Sequence, residues 1–363
     1  MEVAKQKHTP KELEDLLGNF PVAFGEMTFS PLTSGLINET YLVYSDAHPS
    51  YILQQINADV FSDVVGLMDN YAAALLHLNA PDYTQLKLVK TKKGASYFSG
   101  PQGHWRLVGF LPNTITYDTT NDVKIAEEAG RIIGRFHMLL EHENPDSFVD
   151  TIPGFHDLPL RMRQFEEALA QTAAPALNEL AAAIDFAKST AKILQEGIAN
   201  KLPVRICHND TKLNNILYSS ATKKALCLID LDTLMAGHLM FDFGDVVRTV
   251  VNPANEDIKE LSRIAFRTSY FEALVKGLAS TRLAISPQER TSLAFGAVLM
   301  PFLHGLRAFT DYLNGNKYYK VSYKEQNYDR AKSLFKFSQK ALEHLPYMQE
   351  TIKAHLGRPN FQN

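Results

Sequence analysis

A change of hydrophobic period near residue 112 constrains this 363-residue chain more than any other feature. Before it, residues 27–34, 39–45, 50–56, 86–92, 95–98 and 104–110 read as strands, with one helical stretch at 63–78. After it, apolar residues recur near helical spacing over 121–141, 158–200, 261–278, 286–313 and 328–355. A chain of this length exceeds one ordinary core. The pattern predicts an α+β protein of two lobes: a sheet-rich lobe over 1–112 and a mostly helical lobe over 113–363, hinged at 110–114. A cleft between two such lobes is a common ligand site. The chain should open on a short helix, since Thr9-Pro10-Lys11-Glu12 supplies an N-cap, a first-turn proline and a capping-box acid.

Charge narrows the partners. With 37 basic and 40 acidic side chains the formal net charge is -3, so no global field exists to hold nucleic acid or an anionic membrane. Any phosphate site must be local, and the expected partner is a small molecule. The two cysteines, Cys207 and Cys227, suit a reducing compartment and small core roles rather than a disulfide framework. The charged N-terminus is no signal peptide, and no run of about 18 apolar residues is expected to span a bilayer. These readings predict a soluble, cytoplasmic protein; its oligomeric state is left open, a monomer being compatible.

Within the helical half two short strands are expected, 204–207 and 225–229, and each runs into residues that can do chemistry. The first leads into His208-Asn209-Asp210-Thr211-Lys212-Leu213-Asn214-Asn215, and the second stops at Asp230. Phosphoryl transfer needs one carboxylate to accept the proton of an attacking hydroxyl, and oxygen ligands to hold Mg²⁺ on the nucleotide phosphates. Asp210 fits the first role, Asn215 and Asp230 the second. The competing account makes these residues ordinary turn and cap positions. His208 is expected to pack and hydrogen-bond within the loop.

These segments, together with Ile229-Asp230-Leu231-Asp232-Thr233 and Phe241-Asp242-Phe243-Gly244-Asp245, resemble the aminoglycoside phosphotransferase and choline kinase superfamily, relatives of the protein kinases. Within it the chain is most similar to the bacterial N-acetylhexosamine 1-kinase branch, through Gly35-Leu36-Ile37-Asn38-Glu39, Tyr51-Ile52-Leu53-Gln54-Gln55 and Arg307-Ala308-Phe309-Thr310-Asp311. The resemblance runs from about residue 25 to residue 320. It implies a protein-kinase-like bilobal fold, ATP as donor, Mg²⁺, and an N-acetylhexosamine acceptor phosphorylated on its anomeric hydroxyl. Asp210 then resembles the base, and Asn215 and Asp230 the metal ligands. An aminoglycoside, choline or another amino alcohol is the alternative acceptor in the same fold, and a nucleotide-binding pseudokinase is the alternative from another class.

On this resemblance Ser34, Gly35, Leu36 and Asn38 form the turn over the phosphates, and backbone groups of Phe110 and Leu111 meet the adenine. Gln54 stands on the third strand where protein kinases place a lysine, leaving Mg²⁺ and backbone N–H groups to neutralise the triphosphate. Arg307, Asp311 and Tyr318 are the acceptor candidates, Arg307 and Asp311 sharing a helix face four residues apart. The branch has a histidine where this chain has Leu36. Asp232 and Asp245 are further site candidates, with a helix expected to begin near Asp245 and a structural role for Asp242.

Overall fold

Thr9 caps the first helix as its sequence requires: its hydroxyl accepts the Glu12 amide, and Glu12 returns a bond to the Thr9 amide. The computed structural model describes residues 7–22, 25–32, 37–198 and 201–357, apart from the side chains of 174–176. Helix α1 (Pro10–Leu17) leads into β1 (Met27–Leu32), β2 (Glu39–Ser45) and β3 (His48–Ile56); α2 (Val64–His77) follows, capped by Asp63, and then β4 (Leu88–Val89), β5 (Phe98–Gly100) and β6 (Gly103–Gly109). These strands form an antiparallel sheet in the order β1-β2-β3-β6-β4, with β5 on β6. The expected strand at 86–92 shrinks to two paired residues, and the one at 95–98 begins only at its last residue.

The two faces of this sheet do different work. Leu13, Leu16 and Leu17 of α1 pack with Leu53, Trp105 and Leu107 on one face. Because strand side chains alternate, Gln54 and Arg106 point to the opposite face, where α2 and the second lobe lie. The core of the second lobe continues across the boundary, taking in Tyr71, Ala74 and Leu75 of α2 and Val108 of β6.

From β7 (Thr114–Ile115) the chain pairs with the second lobe, whose elements are α3 (Val123–Leu139), α4 (Leu158–Ala170), α5 (Ala174–Glu179), α6 (Ala181–Gly197), β8 (Arg205–Cys207), β9 (Ile216–Ser219), β10 (Ala225–Leu228), β11 (Met235–Gly237), α7 (Leu239–Val250), α8 (Thr268–Ser280), α9 (Pro287–Leu313), α10 (Gln326–Glu343) and α11 (Leu345–Leu356). Several expected helices are divided. Residues 158–200 make three, and 328–355 makes two because Pro346 starts α11 afresh. Only a 3₁₀ turn occupies Leu261–Arg263 before α8.

Helix α9 corrects a further expectation. It is long and apolar enough to cross a bilayer, yet 89% of its apolar stretch is buried inside the protein as the axis of the lobe. Helix α7 lies against it at backbone distance, since a Cβ on Gly244 would sit 2.0 Å from the Gly296 carbonyl. Helix α7 also starts six residues earlier than expected, so Asp242 and Asp245 are both interior helical residues rather than caps.

Candidate active site

Two short antiparallel strand pairings gather the catalytic candidates. Strand β8 pairs with β11, Cys207 opposite Met235, and β9 pairs with β10, Ile216 opposite Leu228. The Ile229 amide donates to the Asn215 carbonyl at 2.9 Å, so Asp230 emerges beside Asn215. Asn215 in turn donates Nδ2 to the Asp210 carboxylate at 2.9 Å and to the Asp210 carbonyl at 2.8 Å. With its nitrogen committed, the amide presents its oxygen as the end that can ligate a cation.

The loop carrying Asp210 is clamped from below by one buried carboxylate. Asp242 accepts the His208 and Asn209 amides at 2.9 and 2.7 Å, with His137 Nε2 3.0 Å away. The Asn209 side chain donates to the Cys207 and Thr233 carbonyls. His208 behaves as a loop-packing residue: Nδ1 accepts the Asp210 amide, which leaves Nε2 as the donor to the Ile229 carbonyl at 2.8 Å. Asn209 and Asp230 both hold left-handed backbones, φ 62° and φ 60°, conformations that cost a non-glycine residue roughly 1 kcal/mol and persist where surroundings over-determine them. His137, Cys207 and Asp242 also bring potential metal-binding atoms together, but Asp242 is already engaged by the loop amides and burial pushes the Cys207 thiol up.

Acids outnumber bases in this corner, Asp210, Asp230 and Asp232 against Lys212 and Arg106. Burial works to raise the Asp210 carboxyl, but Lys212, whose Nζ lies 3.0 Å from Asp210 Oδ2, outweighs it and holds the group below its ordinary range. Asp230 goes the other way: burial first and Asp232 second push it up to about 6, with Lys212 and Arg106 only partly compensating. Such a surplus of carboxylates is what a divalent cation relieves, and the all-oxygen donor set suits a hard ion such as Mg²⁺. Asn215 and Asp230 are the residues that could hold it.

Beyond Asp210 lies a second group of polar side chains. Asp245 Oδ1 accepts from Arg248 at 2.9 Å and has His304 Nε2 3.2 Å away, while Asp245 Oδ2 is buried with no partner. His304 Nδ1 receives Arg307 Nη2 at 3.0 Å, and burial with Arg248 and Arg307 holds this histidine well below its usual pKa, hence neutral. Arg307 lies over the Phe155 ring at 4.5 Å with Nε unpartnered. Tyr318, 60% exposed, and Arg161 lie within the electrostatic reach of Arg307. His156 Nε2 donates to the Asn209 carbonyl at 3.1 Å, and burial and Arg307 bring its pKa down to about 4.

Several expectations are corrected by these contacts. Asp311 does not pair with Arg307; its two oxygens accept the Lys317, Tyr318 and Tyr319 amides and Asn327 Nδ2, so four donors fill it and it shapes the loop that carries Tyr318. Asp232 does not face an acceptor: Arg106 Nη1 takes one oxygen and Asn38 Nδ2 the other at 2.5 Å. Asn38 is thereby held between the lobes, its Oδ1 accepting the Asn57 amide. Gln54 donates to Thr40 Oγ1 and accepts Arg106 Nε at 3.0 Å. The Phe110 amide bonds the Ser50 carbonyl and Thr114 Oγ1 bonds the Leu111 carbonyl, which leaves the Phe110 carbonyl and the Leu111 amide for a base. Ser34, Gly35 and Leu36 lie outside the described residues.

The residues that the motif reading passed over are Lys212, His156, His304 and above all Arg106. Lys212 sat inside the quoted motif and only its position beside the acid was needed to find it. Arg106 carries no motif; its relevance comes from facing Gln54 across β3 and β6.

Solved structures with this fold are numerous. A microcompartment-associated aminopropanol kinase is 19% identical, covers 93% of this chain and 98% of its own, and superposes with a TM-score of 0.62. An aminoglycoside phosphotransferase from Alicyclobacillus acidocaldarius is 12% identical with a TM-score of 0.63, covering 97% and 99%. Spectinomycin phosphotransferase, solved with ADP and spectinomycin, is 13% identical with a TM-score of 0.59, covering 95% and 100%. At such identities the likeness establishes the fold, a protein-kinase-like arrangement of antiparallel sheet and helical lobe. The sequence pattern of the phosphotransferase enzyme family adds the lineage, matching residues 28–282 and so running from β1 through the Asp210 loop to the end of α8. On that match the chain belongs to the phosphotransferase enzyme family.

Proposed function

We propose that this phosphotransferase is an ATP-dependent small-molecule kinase acting on the anomeric hydroxyl of an N-acetylhexosamine, with GlcNAc or GalNAc giving the sugar 1-phosphate. The observation that carries the reading is the convergence of Asp210, Asn215 and Asp230, joined by the Asn215–Asp210 and Ile229–Asn215 hydrogen bonds. Asp210 orients the acceptor hydroxyl and takes its proton as the oxygen bonds the γ-phosphorus and the bond to the ADP oxygen breaks. Lys212 keeps that carboxylate ionised, and Asn215 holds it in place. Asn215 and Asp230 would hold Mg²⁺, which supplies charge neutralisation on the phosphates. Among the fold's relatives, one structure contains ADP and another AMP-PNP with Ca²⁺, which supports nucleotide and divalent metal here.

The preference for a neutral sugar over an amine rests on the charge beyond Asp210. Burial first and Arg307 second hold Arg161 below its ordinary pKa, and both nearby histidines are held neutral. Of the two carboxylates there, Asp311 is filled by the loop amides and Asn327, and Asp245 has its charge paired with Arg248 through Oδ1, leaving Oδ2 to accept from a hydroxyl or amide. A cationic acceptor needs an aromatic cage or free carboxylates; hydroxyls and an acetamido oxygen accept hydrogen bonds from guanidinium groups.

Purified protein with ATP and Mg²⁺ is to be offered GlcNAc, GalNAc, glucose, choline, 1-amino-2-propanol and spectinomycin, with ³¹P spectra of the products. A sugar 1-phosphate from the hexosamines alone is the expected result. Turnover confined to the amines replaces the acceptor assignment with the amino-alcohol or aminoglycoside one. Nucleotide binding without consumption on any acceptor favours the pseudokinase.

A further inference from the structure

The third strand lacks the lysine that protein kinases use on nucleotide phosphates, and α2 offers no glutamate to pair with one. A fully buried guanidinium stands next to the vacant position instead. Arg106 is the cross-strand partner of Gln54, with 0% of its surface exposed, and it shares the sheet face that looks onto Asp230 and Asp232. Three contacts fix it: Nε donates to Gln54 Oε1 at 3.0 Å, Nη1 donates to Asp232 Oδ1, and the guanidinium lies 4.7 Å from the Tyr71 ring centre.

One end of it is left over. Nη2 is buried and has no hydrogen-bond partner among the described residues. Leaving a charged donor unsatisfied in the interior costs several times what an ordinary hydrogen bond contributes, so sites of this kind are retained where a ligand oxygen completes them. Guanidinium binds phosphate oxygens through fixed, fork-like donors and does not lose its charge on burial. Gln54 thereby has a positive reason to be there: a lysine in its place would put a second cation against the guanidinium, whereas the amide oxygen aims it.

We infer that Arg106 is the nucleotide-phosphate-binding cation of this protein, acting from β6 in place of a lysine on β3, with Gln54 as its positioning residue. The inference rests on the proposed use of ATP but not on the identity of the acceptor. A role limited to holding Asp232, and with it the two lobes, is the competing account.

Binding of AMP-PNP, with Mg²⁺, and of adenosine is to be measured by calorimetry for wild type, Arg106→Met, Arg106→Lys, Asp232→Asn and the double variant Gln54→Lys/Arg106→Met. Arg106→Met is expected to weaken AMP-PNP at least tenfold and adenosine less than twofold, since adenosine has no phosphates. Arg106→Lys, which keeps the charge if the methionine variant unfolds, should fall between. Restoring a cation from β3 in the double variant should recover at least threefold of the AMP-PNP affinity. Unchanged AMP-PNP affinity in a folded Arg106→Met protein overturns the inference. So does an equal loss for adenosine, or a loss of the same size in Asp232→Asn. Wild-type protein that binds neither compound would instead overturn the use of ATP itself, and this inference with it.

Discussion

The Asp210 loop and the polar group around Arg307 are neighbours built on opposite principles. In the loop nearly every donor and acceptor is committed to another part of the loop or to Asp242, so the reacting carboxylate is held by a network with no slack. Around Arg307 the framework is equally buried, yet Asp245 Oδ2, Arg307 Nε and His156 Nδ1 have no partners. Saturated geometry suits a group that must meet a phosphorus atom in line; unsatisfied groups suit a surface that a polar molecule completes. On the proposed function, the contrast separates the place where chemistry would be set from the place where the acceptor would be chosen.

Four measurements would break or sharpen it. Asp210→Asn should lower turnover by at least about 10³ while nucleotide affinity stays within about threefold, because only proton transfer is removed; near-normal turnover in steady-state assays would take Asp210 out of the reaction. Asp242→Ala should lower unfolding free energy by about 3–5 kcal/mol in denaturant titrations, since two buried amides lose their acceptor at once. A loss below about 1 kcal/mol would mean the loop is held from elsewhere.

The acceptor side predicts a pH effect of opposite origin. His156 is neutral when folded, with its pKa down near 4, but titrates near 6.5 when unfolded. Between those values the unfolded chain binds the extra proton, so stability is complete above about pH 6.5 and falls as pH drops towards 4, by up to about 1.4 kcal/mol per unit. Thermal melts from pH 7.5 to 5 should show that fall, and His156→Gln should make it shallower; identical slopes would show that His156 is not the group responsible. The smallest effect is the most specific: Arg307→Ala should raise acceptor KM at least tenfold and leave ATP KM within twofold. Equal changes in both would place Arg307 in the framework instead of at the acceptor.

What the chain announces locally came through well. The capping box at Thr9, the switch of period near residue 112 and the strand ending at Asp230 are carried by neighbouring residues, whose propensities act within a few positions. The H-x-D-x-x-x-x-N spacing placed Asp210 and Asn215 on one loop, and a hairpin of short strands was enough to return Asp230. Asp311 and Asp232 misled because a carboxylate in sequence carries no mark of how many donors will surround it. Periodicity put Asp311 beside Arg307, while the turn of chain at 316–319 supplied the amides that engage it.

The sequence alone determined the order of strand-rich and helical segments and the spacing that sets Asp210, Asn215 and Asp230 on neighbouring turns, because these follow from positions along the backbone. Only the tertiary structure decided that Gln54 faces Arg106, that Asp242 bears the loop, and that His304 stands between Asp245 and Arg307. Those relations depend on strand register, on close contact of α7 with α9, and on burial, which turns a surface charge into a group that must be partnered. They are properties of distances across the fold, and no run of adjacent residues encodes them.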